Sequence, residues 1–311
     1  MVFSAPKYRG PKSDHFNGKR FRNLARTRRT GFLDFLKWIT HREPGVWSKW
    51  REITPAAPPP ERVAGLRVTW VNHATMLIQT ANVNFLTDPI WSERCSPVTW
   101  AGPKRHHAPG LRLEDLPPID VVLISHNHYD HMDVPTLKRL RRKQTIVALG
   151  NAAVVKDATE LDWWESASVT SDVRVHCVPA QHFSARGTRD RNANLWCGFV
   201  IETPQGSIYF AGDTGYGPHF KMIRERFGPP RLALLPIGAF RPQWFMQAVH
   251  VSPSDAVRAA RDLEAEVAIP MHWFTFRLAD DGQDEPAETL RRALTDDVRF
   301  EILEPGGVFE R

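Results

Sequence analysis

The sequence predicts an α/β protein in which two halves, each a β-sheet with helices, pack sheet on sheet. Short β-rich runs are followed by stretches that combine buried strands with helices, and this order occurs twice along the chain. Of the 311 residues, 42% are hydrophobic and 24% are charged, as in soluble globular proteins. No apolar run approaches the roughly 18 to 20 residues that span a bilayer, so we expect no transmembrane anchor.

A proline-rich linker predicts the boundary between an N-terminal arm, residues 1–62, and a main domain, residues 63–311. TPAAPPPER, residues 54–62, has four prolines in nine positions, which neither a helix nor a central strand accommodates. The arm holds 14 Lys and Arg against five Asp and Glu, whereas the rest of the chain carries a net charge of −3. Its basic stretch KRFRNLARTRR suits an anionic membrane surface or nucleic acid, or it is a solvated arm wrapped on the domain.

The arm also contains a predicted short amphipathic helix, GFLDFLKWIT. Its apolar residues share one broad helical face: Phe32, Leu33, Phe35, Leu36 and Ile39. Such a face either docks on the protein's own core or, next to a basic stretch, lies in a membrane interface.

The main domain begins with a predicted meander of three short runs, LRVTWV, ATMLIQT and NVNFLTD. VVLIS, residues 121–125, is typical of a buried strand; a helix is predicted near Pro135 to Arg142, and TIVALG is the next buried strand. VRVHCVPA, LWCGFVIE and GSIYFAGD predict adjacent strands of a second sheet. Helices at Pro218 to Phe227 and Pro253 to Glu264 alternate with the strands LALLPIG and VAIPM.

Candidate metal ligands follow VVLIS directly. The segment SHNHYDHMD places His126, His128, Asp130 and His131 within six residues. Neutral imidazole and carboxylate are ligands that Zn²⁺ takes, and this spacing lets the first two residues hold one ion and the last two another. In the alternative interpretation the segment is a surface loop with Asp130 or Asp133 as a helix N-cap, but capping explains one of these residues and not four.

Further polar residues end other predicted strands: His182 after VRVHCVPAQ, Asp213 in SIYFAGD and His272 after VAIPM. A carboxylate such as Asp213 can bridge two cations about 3.5 to 4 Å apart. Because four strand ends carry the same ligand chemistry, we expect them to meet at one dinuclear site.

Together with these positions, longer segments of the chain resemble the metallo-β-lactamase superfamily and, within it, the N-acyl-phosphatidylethanolamine-hydrolysing phospholipase D family. They are LTDPIWSERCSPVTWAGPKR, LPPIDVVLISHNHYDHMD, FAGDTGYGPHF and RFGPPRLALLPIGAFRPQWFM. The resemblance covers residues 66–311. It implies an αββα sandwich with a dinuclear metal site at the sheet edge. It also implies two Zn²⁺ ions per chain, the first held by His126, His128 and His182, the second by Asp130, His131 and His272, with Asp213 bridging both.

The resemblance implies further site residues. His250, in AVHVSP, is expected near the scissile group, although packing beside the helix that starts at Ser252 is an alternative role. Asp130 or His250 would pass a proton to the leaving alkoxide. His73, in VNHATMLI, is expected near the metals; Asn72 stands where a glycine is common in relatives, and Asn tolerates a positive φ.

The implied function is phosphodiester hydrolysis in N-acyl-phosphatidylethanolamine-like phospholipids, by water activated between two Zn²⁺ ions. Two alternatives stay open: a metal-dependent lactonase or esterase of the same fold, and a non-catalytic, metal-bound nucleic-acid-binding or scaffold protein. Structural zinc sites are usually closed and Cys-rich, which speaks against the last. The aromatic-rich positions either line an acyl-chain channel or pack in the core: Trp163, Trp164, Trp244, Phe245, Met246 and Trp273.

The expected location is cytoplasmic, peripheral at the membrane through the arm. The N-terminal segment lacks the apolar stretch of a secretory signal, and the three cysteines form no CxxC pair. We expect a phospholipid and not nucleic acid as the partner, and the sequence leaves monomer and homodimer open.

Overall fold

The computed structural model describes residues 4–26 and 31–311. The strands are β1 (Leu66–Asn72), β2 (Thr75–Thr80), β3 (Val83–Thr87), β4 (Ile119–Ile124), β5 (Arg142–Ala148), β6 (Thr159–Leu161), β7 (Ser166–Ser168), β8 (Arg174–Val178), β9 (Gly198–Glu202), β10 (Ile208–Phe210), β11 (Leu232–Pro236), β12 (Ala268–Met271) and β13 (Val308–Glu310). The helices are α1 (Phe32–Thr40), α2 (Val134–Arg139), α3 (His219–Phe227), α4 (Gln243–Met246), α5 (Pro253–Leu263) and α6 (Glu285–Ala293).

The strands form two mixed sheets that pack face to face. The first has the order β13-β1-β2-β3-β4-β5-β6 and the second the order β12-β11-β10-β9-β8-β7. Helix α2 packs on the outer face of the first sheet, and α3 and α5 pack with the second. The αββα sandwich expected from the sequence is therefore confirmed.

Strand β4 shows why its sequence is apolar throughout. Val121 and Leu123 belong to the core between the two sheets, whereas Val122 and Ile124 pack outward with Leu137 of α2. Side chains alternate between the faces of a strand, so a strand covered on both sides is apolar at every position. Because β3, β4 and β5 run parallel, as do β10, β11 and β12, their carboxyl ends share an edge of each sheet.

Several predicted boundaries are wrong. His182 does not end a strand: β8 stops at Val178, where Pro179 follows without an N–H for the ladder. Asp213 likewise lies beyond the end of β10 at Phe210. The helix predicted to reach Arg142 stops at Arg139, because Arg142 already belongs to β5 and pairs with Ile119; its side chain donates to the carbonyls of Leu137 and Leu140 at the helix end.

The N-terminal arm packs on the main domain. Phe16 and Phe21 are 1% and 2% exposed and belong to the main core. His15 stacks on Trp163 at 4.5 Å between ring centroids, and its Nε2 lies 2.7 Å from Asp162 Oδ1. The end of the basic stretch, residues 27–29, lies outside the described residues.

Helix α1 is amphipathic, but its apolar face does not dock on the core. Phe32 and Leu33 are 73% and 79% exposed, and Phe35, Leu36 and Ile39 are also exposed. The helix is attached instead by Trp38, which stacks on Phe245 at 5.2 Å and donates from Nε1 to Asp280 Oδ2 at 2.8 Å. Tryptophan combines a large apolar area with one N–H donor, so Trp38 anchors the helix by stacking and by a hydrogen bond, and Lys37 Nζ adds a contact 5.0 Å from the Trp244 ring centroid.

Two of the aromatic residues offered for an acyl channel are core residues. Trp163 is buried and donates to the carbonyl of Trp196 at 2.8 Å, and Trp273 is buried and stacks on Trp70 at 5.2 Å. Trp244, Phe245 and Met246 form α4 and pack with Trp38, and Trp164 lies against the Arg226 guanidinium. None of the described helices has the length and apolar composition needed to cross a bilayer.

The interpretation of Asn72 is also wrong. The positive φ lies one residue later, at His73, with φ 45°. Asn72 is the last residue of β1, and its Nδ2 donates to the carbonyl of Ile90 at 3.2 Å. The turn depends on the backbone of His73 and not on the tolerance of Asn72.

We predict that Gly212→Ala destabilises the fold more than Gly228→Ala. Both glycines have a positive φ, but a Cβ at Gly212 would lie 2.7 Å from Ser125 Cβ and 2.8 Å from the Cys197 carbonyl oxygen, whereas nothing lies within 4 Å at Gly228. A positive φ costs a residue with a Cβ of order 1–3 kcal/mol, including at Gly228, whose φ of 75° and ψ of −178° favour glycine, and overpacking adds about 1–3 kcal/mol at Gly212 alone. Urea denaturation measures the free energy of unfolding; equal losses would contradict the prediction.

Candidate metal centre

Three imidazoles meet beyond the end of β4. His126 Nε2 lies 2.8 Å from His128 Nδ1, which lies 3.3 Å from His182 Nε2. Ligand atoms around a tetrahedral Zn²⁺, with bonds of about 2.1 Å, lie about 3.4 Å from one another. The three nitrogens therefore have the chemistry and approximate spacing of one divalent cation site.

A second group of ligand atoms lies beside the first. Asp130 Oδ2 is 3.2 Å from His131 Nε2 and 3.4 Å from His272 Nε2. His272 follows β12 immediately, and its φ of 63° turns the chain sharply out of the strand. These residues have the donor set of a second cation site.

One carboxylate oxygen lies between the two groups. Asp213 Oδ2 is 3.1 Å from both His131 Nε2 and His272 Nε2. The same oxygen is 3.7 Å from His182 Nε2 and 4.0 Å from His126 Nε2. The structure thus brings together all seven side chains proposed from the sequence as ligands, with Asp213 in the shared position.

Several atoms of the centre are buried without a hydrogen bond to any described residue. They are His131 Nε2, His272 Nε2 and Asp213 Oδ1. Buried polar atoms are nearly always paired. The 3.1 Å contacts between the two imidazole nitrogens and Asp213 Oδ2 lack hydrogen-bond geometry, as is usual for atoms that coordinate a common cation. The residues present therefore fit divalent cations.

Hydrogen bonds outside the ligand set fix the imidazole rings. His131 Nδ1 lies 2.6 Å from Asp88 Oδ2, and His182 Nδ1 lies 2.8 Å from the carbonyl of Val249. A carboxylate or carbonyl acceptor at Nδ1 places the ring proton there and leaves Nε2 free for a metal. Asp88 also accepts from the Ser125 amide and hydroxyl, at 2.7 and 2.6 Å, directly before His126.

Sequence reasoning missed Asp88. It follows β3 at once in NVNFLTD, the same arrangement of apolar run and terminal carboxylate that identified Asp213. That signal was available, but an Asp after a strand is also the usual turn former.

Arg186 was missed as well. Its Nη1 donates to the carbonyls of Asn127 and Met132, each at 2.9 Å, so it spans the turn that carries the histidines. Its guanidinium also lies 4.0 Å from the Tyr129 ring centroid. Nothing local in the sequence distinguishes this arginine from a surface cation.

His73 and His250 lie at the rim of the ligand set. His73 Nε2 is 2.9 Å from Asp130 Oδ2, and its ring is 4.0 Å from that of His272. His250 Nδ1 is 4.0 Å from Asp213 Oδ2 and makes no hydrogen bond to the described residues. With His182 and Asp213, His250 also forms a group able to hold a metal ion.

The electrostatics divide the histidines into two classes. Burial, reinforced by neighbouring imidazoles, holds the pKa of His126 well below its ordinary value. Burial also lowers the pKa of His128, to about 4, and that of His182. For His272 burial is outweighed by Asp213 and Asp130, which raise the pKa to about 9, and the carboxylates also raise the pKa of His131. The reciprocal effect holds the pKa of Asp213 well below its usual range.

Comparison with known proteins agrees with the fold and with the ligand chemistry of the centre. Residues 83–273 match the profile of the Beta-lactamase superfamily domain. The chain is 36% identical over 271 residues to N-acyl-phosphatidylethanolamine-hydrolyzing phospholipase D 1 of Caenorhabditis elegans, covering 79% of this chain and 76% of that protein. It is 31% identical over 261 residues to a metal-dependent hydrolase of Methanopyrus kandleri, covering 79% of this chain and all of that one.

A similar fold is found among solved structures. The crystal structure of a possible metal-dependent hydrolase from Veillonella parvula matches with a TM-score of 0.63 at 16% identity, covering 79% of this chain and 99% of that one. At this identity the likeness concerns the fold alone.

We predict that cation binding near pH 7 releases about two protons per chain from the second ligand group, in addition to the proton that metal-bound water gives up. His131 and His272 carry protons there in the metal-free protein because their pKa values are raised, whereas the lowered pKa values leave His126, His128 and His182 neutral. A coordinating imidazole must lose its proton. Calorimetric titration with Zn²⁺ in buffers of different ionisation enthalpy measures the number. It should fall as the pH rises through 9; a constant number, or none at pH 7, would contradict the assignment.

Proposed function

The chain belongs to the metallo-β-lactamase superfamily and is a metal-dependent hydrolase, and we propose that it cleaves the phosphodiester bond of N-acyl-phosphatidylethanolamine-like phospholipids. Within the superfamily it belongs to the N-acyl-phosphatidylethanolamine-hydrolysing phospholipase D family. The observation that carries the proposal is the position of Asp213 Oδ2 between two groups of ligand atoms. Two cations side by side suit in-line displacement at phosphorus.

The proposed cofactor is two Zn²⁺ ions per chain. The first would be held by His126, His128 and His182, the second by Asp130, His131 and His272, with Asp213 between them. Bound there, the ions would supply an activated water and neutralise charge on the phosphoryl oxygens. The His and Asp donor set supports this assignment, and elemental analysis of the purified protein tests both the metal and its number.

Asp130 and His250 differ in what they can do. Asp130 Oδ2 has three imidazole nitrogens within 3.4 Å, those of His73, His131 and His272, so this oxygen is surrounded by ligands and their neighbours. His250 presents a buried Nδ1 that no described residue engages by a hydrogen bond. The unengaged ring nitrogen favours His250 over Asp130 as the group that contacts the leaving oxygen. Burial lowers the pKa of His250 to about 4, so it passes a proton to the alkoxide from a protonated form that is minor near pH 7.

We propose the apolar face of α1 as a peripheral membrane contact. Five large apolar side chains are exposed on this helix, and contiguous exposed apolar surface marks interaction sites. The helix is anchored on α4 through Trp38 and Phe245. Four residues beyond α4 comes His250, whose amide donates to the carbonyl of Met246 at 2.9 Å. The face is thus connected to the segment that carries a site histidine, as a lipid-hydrolysing enzyme requires.

We predict that the purified protein hydrolyses N-acyl-phosphatidylethanolamine vesicles and bis(p-nitrophenyl) phosphate but not a simple lactone. His250→Ala should lower kcat for the phospholipid by about 10²- to 10⁴-fold, the usual contribution of a general acid or base. The matched control is His176→Ala, because His176 lies on β8 and pairs with Glu202 away from the centre.

The outcomes of this assay separate the alternatives. If the protein hydrolysed the lactone but neither of the two phosphodiesters, the result would favour an esterase or lactonase. No turnover of any substrate by metal-loaded protein would favour a non-catalytic role. Equal kcat for His250→Ala and the wild type would remove His250 from the reaction while leaving the phosphodiesterase proposal in place.

We predict that Phe32→Ser combined with Leu33→Ser weakens binding to anionic phospholipid vesicles about 10-fold or more, because two exposed apolar side chains lose their favourable transfer to lipid. Val46→Ser is the matched control, since Val46 is 89% exposed but lies outside α1. Co-sedimentation measures the bound fraction. Substitutions are preferable to removing residues 1–50, because Phe16 and Phe21 belong to the core. Unchanged co-sedimentation of the double variant would reject the contact.

A further inference from the structure

We propose that Asn23 of the N-terminal arm is a positioning residue for the metal centre, acting by holding the backbone of His182. The inference rests on the proposed role of His182 as a metal ligand. Sequence reasoning places the arm outside the site, as a membrane or nucleic-acid contact or a solvated extension. The hydrogen bonds of Asn23 connect it directly to a ligand loop.

The backbone of His182 lies outside the sheet. Strand β8 ends at Val178, and the ladder of β8 with β9 pairs no residue beyond it. The arm supplies what the ladder does not: the His182 amide donates to Asn23 Oδ1 at 3.1 Å, and Asn23 Nδ2 donates to the His182 carbonyl at 2.9 Å. A single side-chain amide therefore satisfies both backbone groups of the ligand residue, as a neighbouring strand would.

The Asn23 amide is itself held in one orientation. Its Oδ1 also accepts from Trp196 Nε1 at 2.9 Å, and Trp196 is buried. Two donors converge on this oxygen, which leaves the amide nitrogen to face the His182 carbonyl. Next to it, Gln181 Nε2 donates to the carbonyl of Ala25 at 3.2 Å. The arm and the loop that carries His182 are thus joined by neighbouring contacts, at Asn23 and at Ala25.

The arm before Asn23 is anchored to the same loop. The Ala5 amide donates to Asp190 Oδ2 at 2.6 Å, the Tyr8 amide to the Ala193 carbonyl at 3.1 Å, and the Phe21 amide to the Asn192 carbonyl at 2.8 Å. Phe16 and Phe21 are buried beside these contacts. Asn23 therefore reaches His182 from a segment that is held by contacts outside the ligand set.

His182 is consequently held at two points. Its ring Nδ1 donates to the Val249 carbonyl, and its backbone is bound by Asn23. This directs Nε2 toward His128 Nδ1 at 3.3 Å and Asp213 Oδ2 at 3.7 Å. Without the contacts to Asn23, the backbone of His182 is free to rotate, and its Nε2 moves away from the other ligand atoms. Interactions outside the ligand set are typically worth about 10- to 100-fold in metal affinity.

The test compares Asn23→Ala with Asn17→Ala in the full chain. Asn17 is in the same arm, but among the described residues its Oδ1 accepts from the nearby amides of Lys19 and Arg20, both at 2.9 Å. Competition with a chelator measures the affinity of Zn²⁺, and Co²⁺ substitution reports ligand geometry in the visible spectrum. We expect Asn23→Ala to weaken at least one of the two cations about 10-fold or more and to alter the Co²⁺ spectrum. Asn17→Ala should leave both unchanged.

Thermal unfolding separates positioning from a general loss of stability. A ligand that binds only the folded state raises Tm, so a positioning defect reduces the difference between metal-loaded and metal-free Tm. A merely structural defect lowers both Tm values equally and leaves the chelator titration unchanged; that result overturns the proposal. Wild-type affinity and spectrum in a folded Asn23→Ala protein also overturn it.

A second variant covers the case in which Asn23→Ala does not fold. Asn23→Asp keeps the acceptor for His182 and Trp196 but places a carboxylate oxygen instead of a donor opposite the His182 carbonyl, so we expect weaker Zn²⁺ affinity than in the wild type. Unchanged affinity would overturn the proposal here too. Since affinity and spectrum are measured without substrate, absence of phospholipid hydrolysis would count against the proposed function only.

Discussion

One buried carboxylate oxygen, Asp213 Oδ2, determines how the centre is arranged. An anion this deeply buried is costly unless positive charge lies beside it. In the described chain the nearest partners are His131 and His272, and the charge of Asp213 accordingly raises their pKa values. The histidines of the first group are buried and remain neutral. Protons and divalent cations therefore compete for the ring nitrogens beside Asp213. Cations displace the protons only if the residues around Asp213 are positioned closely enough to coordinate them.

Close positioning at a sheet edge requires unusual backbone. His73, Asp88 and His272 all have a positive φ, at 45°, 33° and 63°, and each follows directly or almost directly on a strand. Such conformations cost of order 1–3 kcal/mol each for residues other than glycine and persist where surrounding contacts over-determine them. The contacts are present: the His272 amide donates to the His73 carbonyl, and the His73 amide donates to Thr275 Oγ1, both at 2.9 Å. These hydrogen bonds connect the turn at His73 with the turn at His272, so that each restrains the backbone of the other.

The sequence predicts the parts of this centre that are local. Strand β4 and the four ligand residues after it lie in one stretch, so hydrophobic pattern and residue type suffice. Arg186 and Asn23 could not be identified in the same way, because their roles arise from partners 59 and 159 residues away along the chain. Asp88 carries the strand-end signal, but an Asp after a strand is also the usual turn former. Helix α1 shows the same limit. Its periodicity predicts an apolar face, but only the packing of Trp38 on Phe245 decides that this face is exposed. The short strands β6, β7 and β13 carry too few residues for a pattern.

The centre is assembled from three parts of the chain that hold one another. Arg186, which follows His182 in the second half, binds both ends of the histidine turn in the first half through Asn127 and Met132. The arm contacts both halves: Asn23 binds the loop of His182 and Trp38 packs on the helix that precedes His250, while Arg62 pairs with Asp120 in the first half. Asn23 thus lies on the loop that carries His182, and Trp38 packs on α4, which is followed by His250. The exposed apolar face of α1 is attached through Trp38 and α4 to the segment that carries His250, and this is the connection that the proposed membrane contact would use.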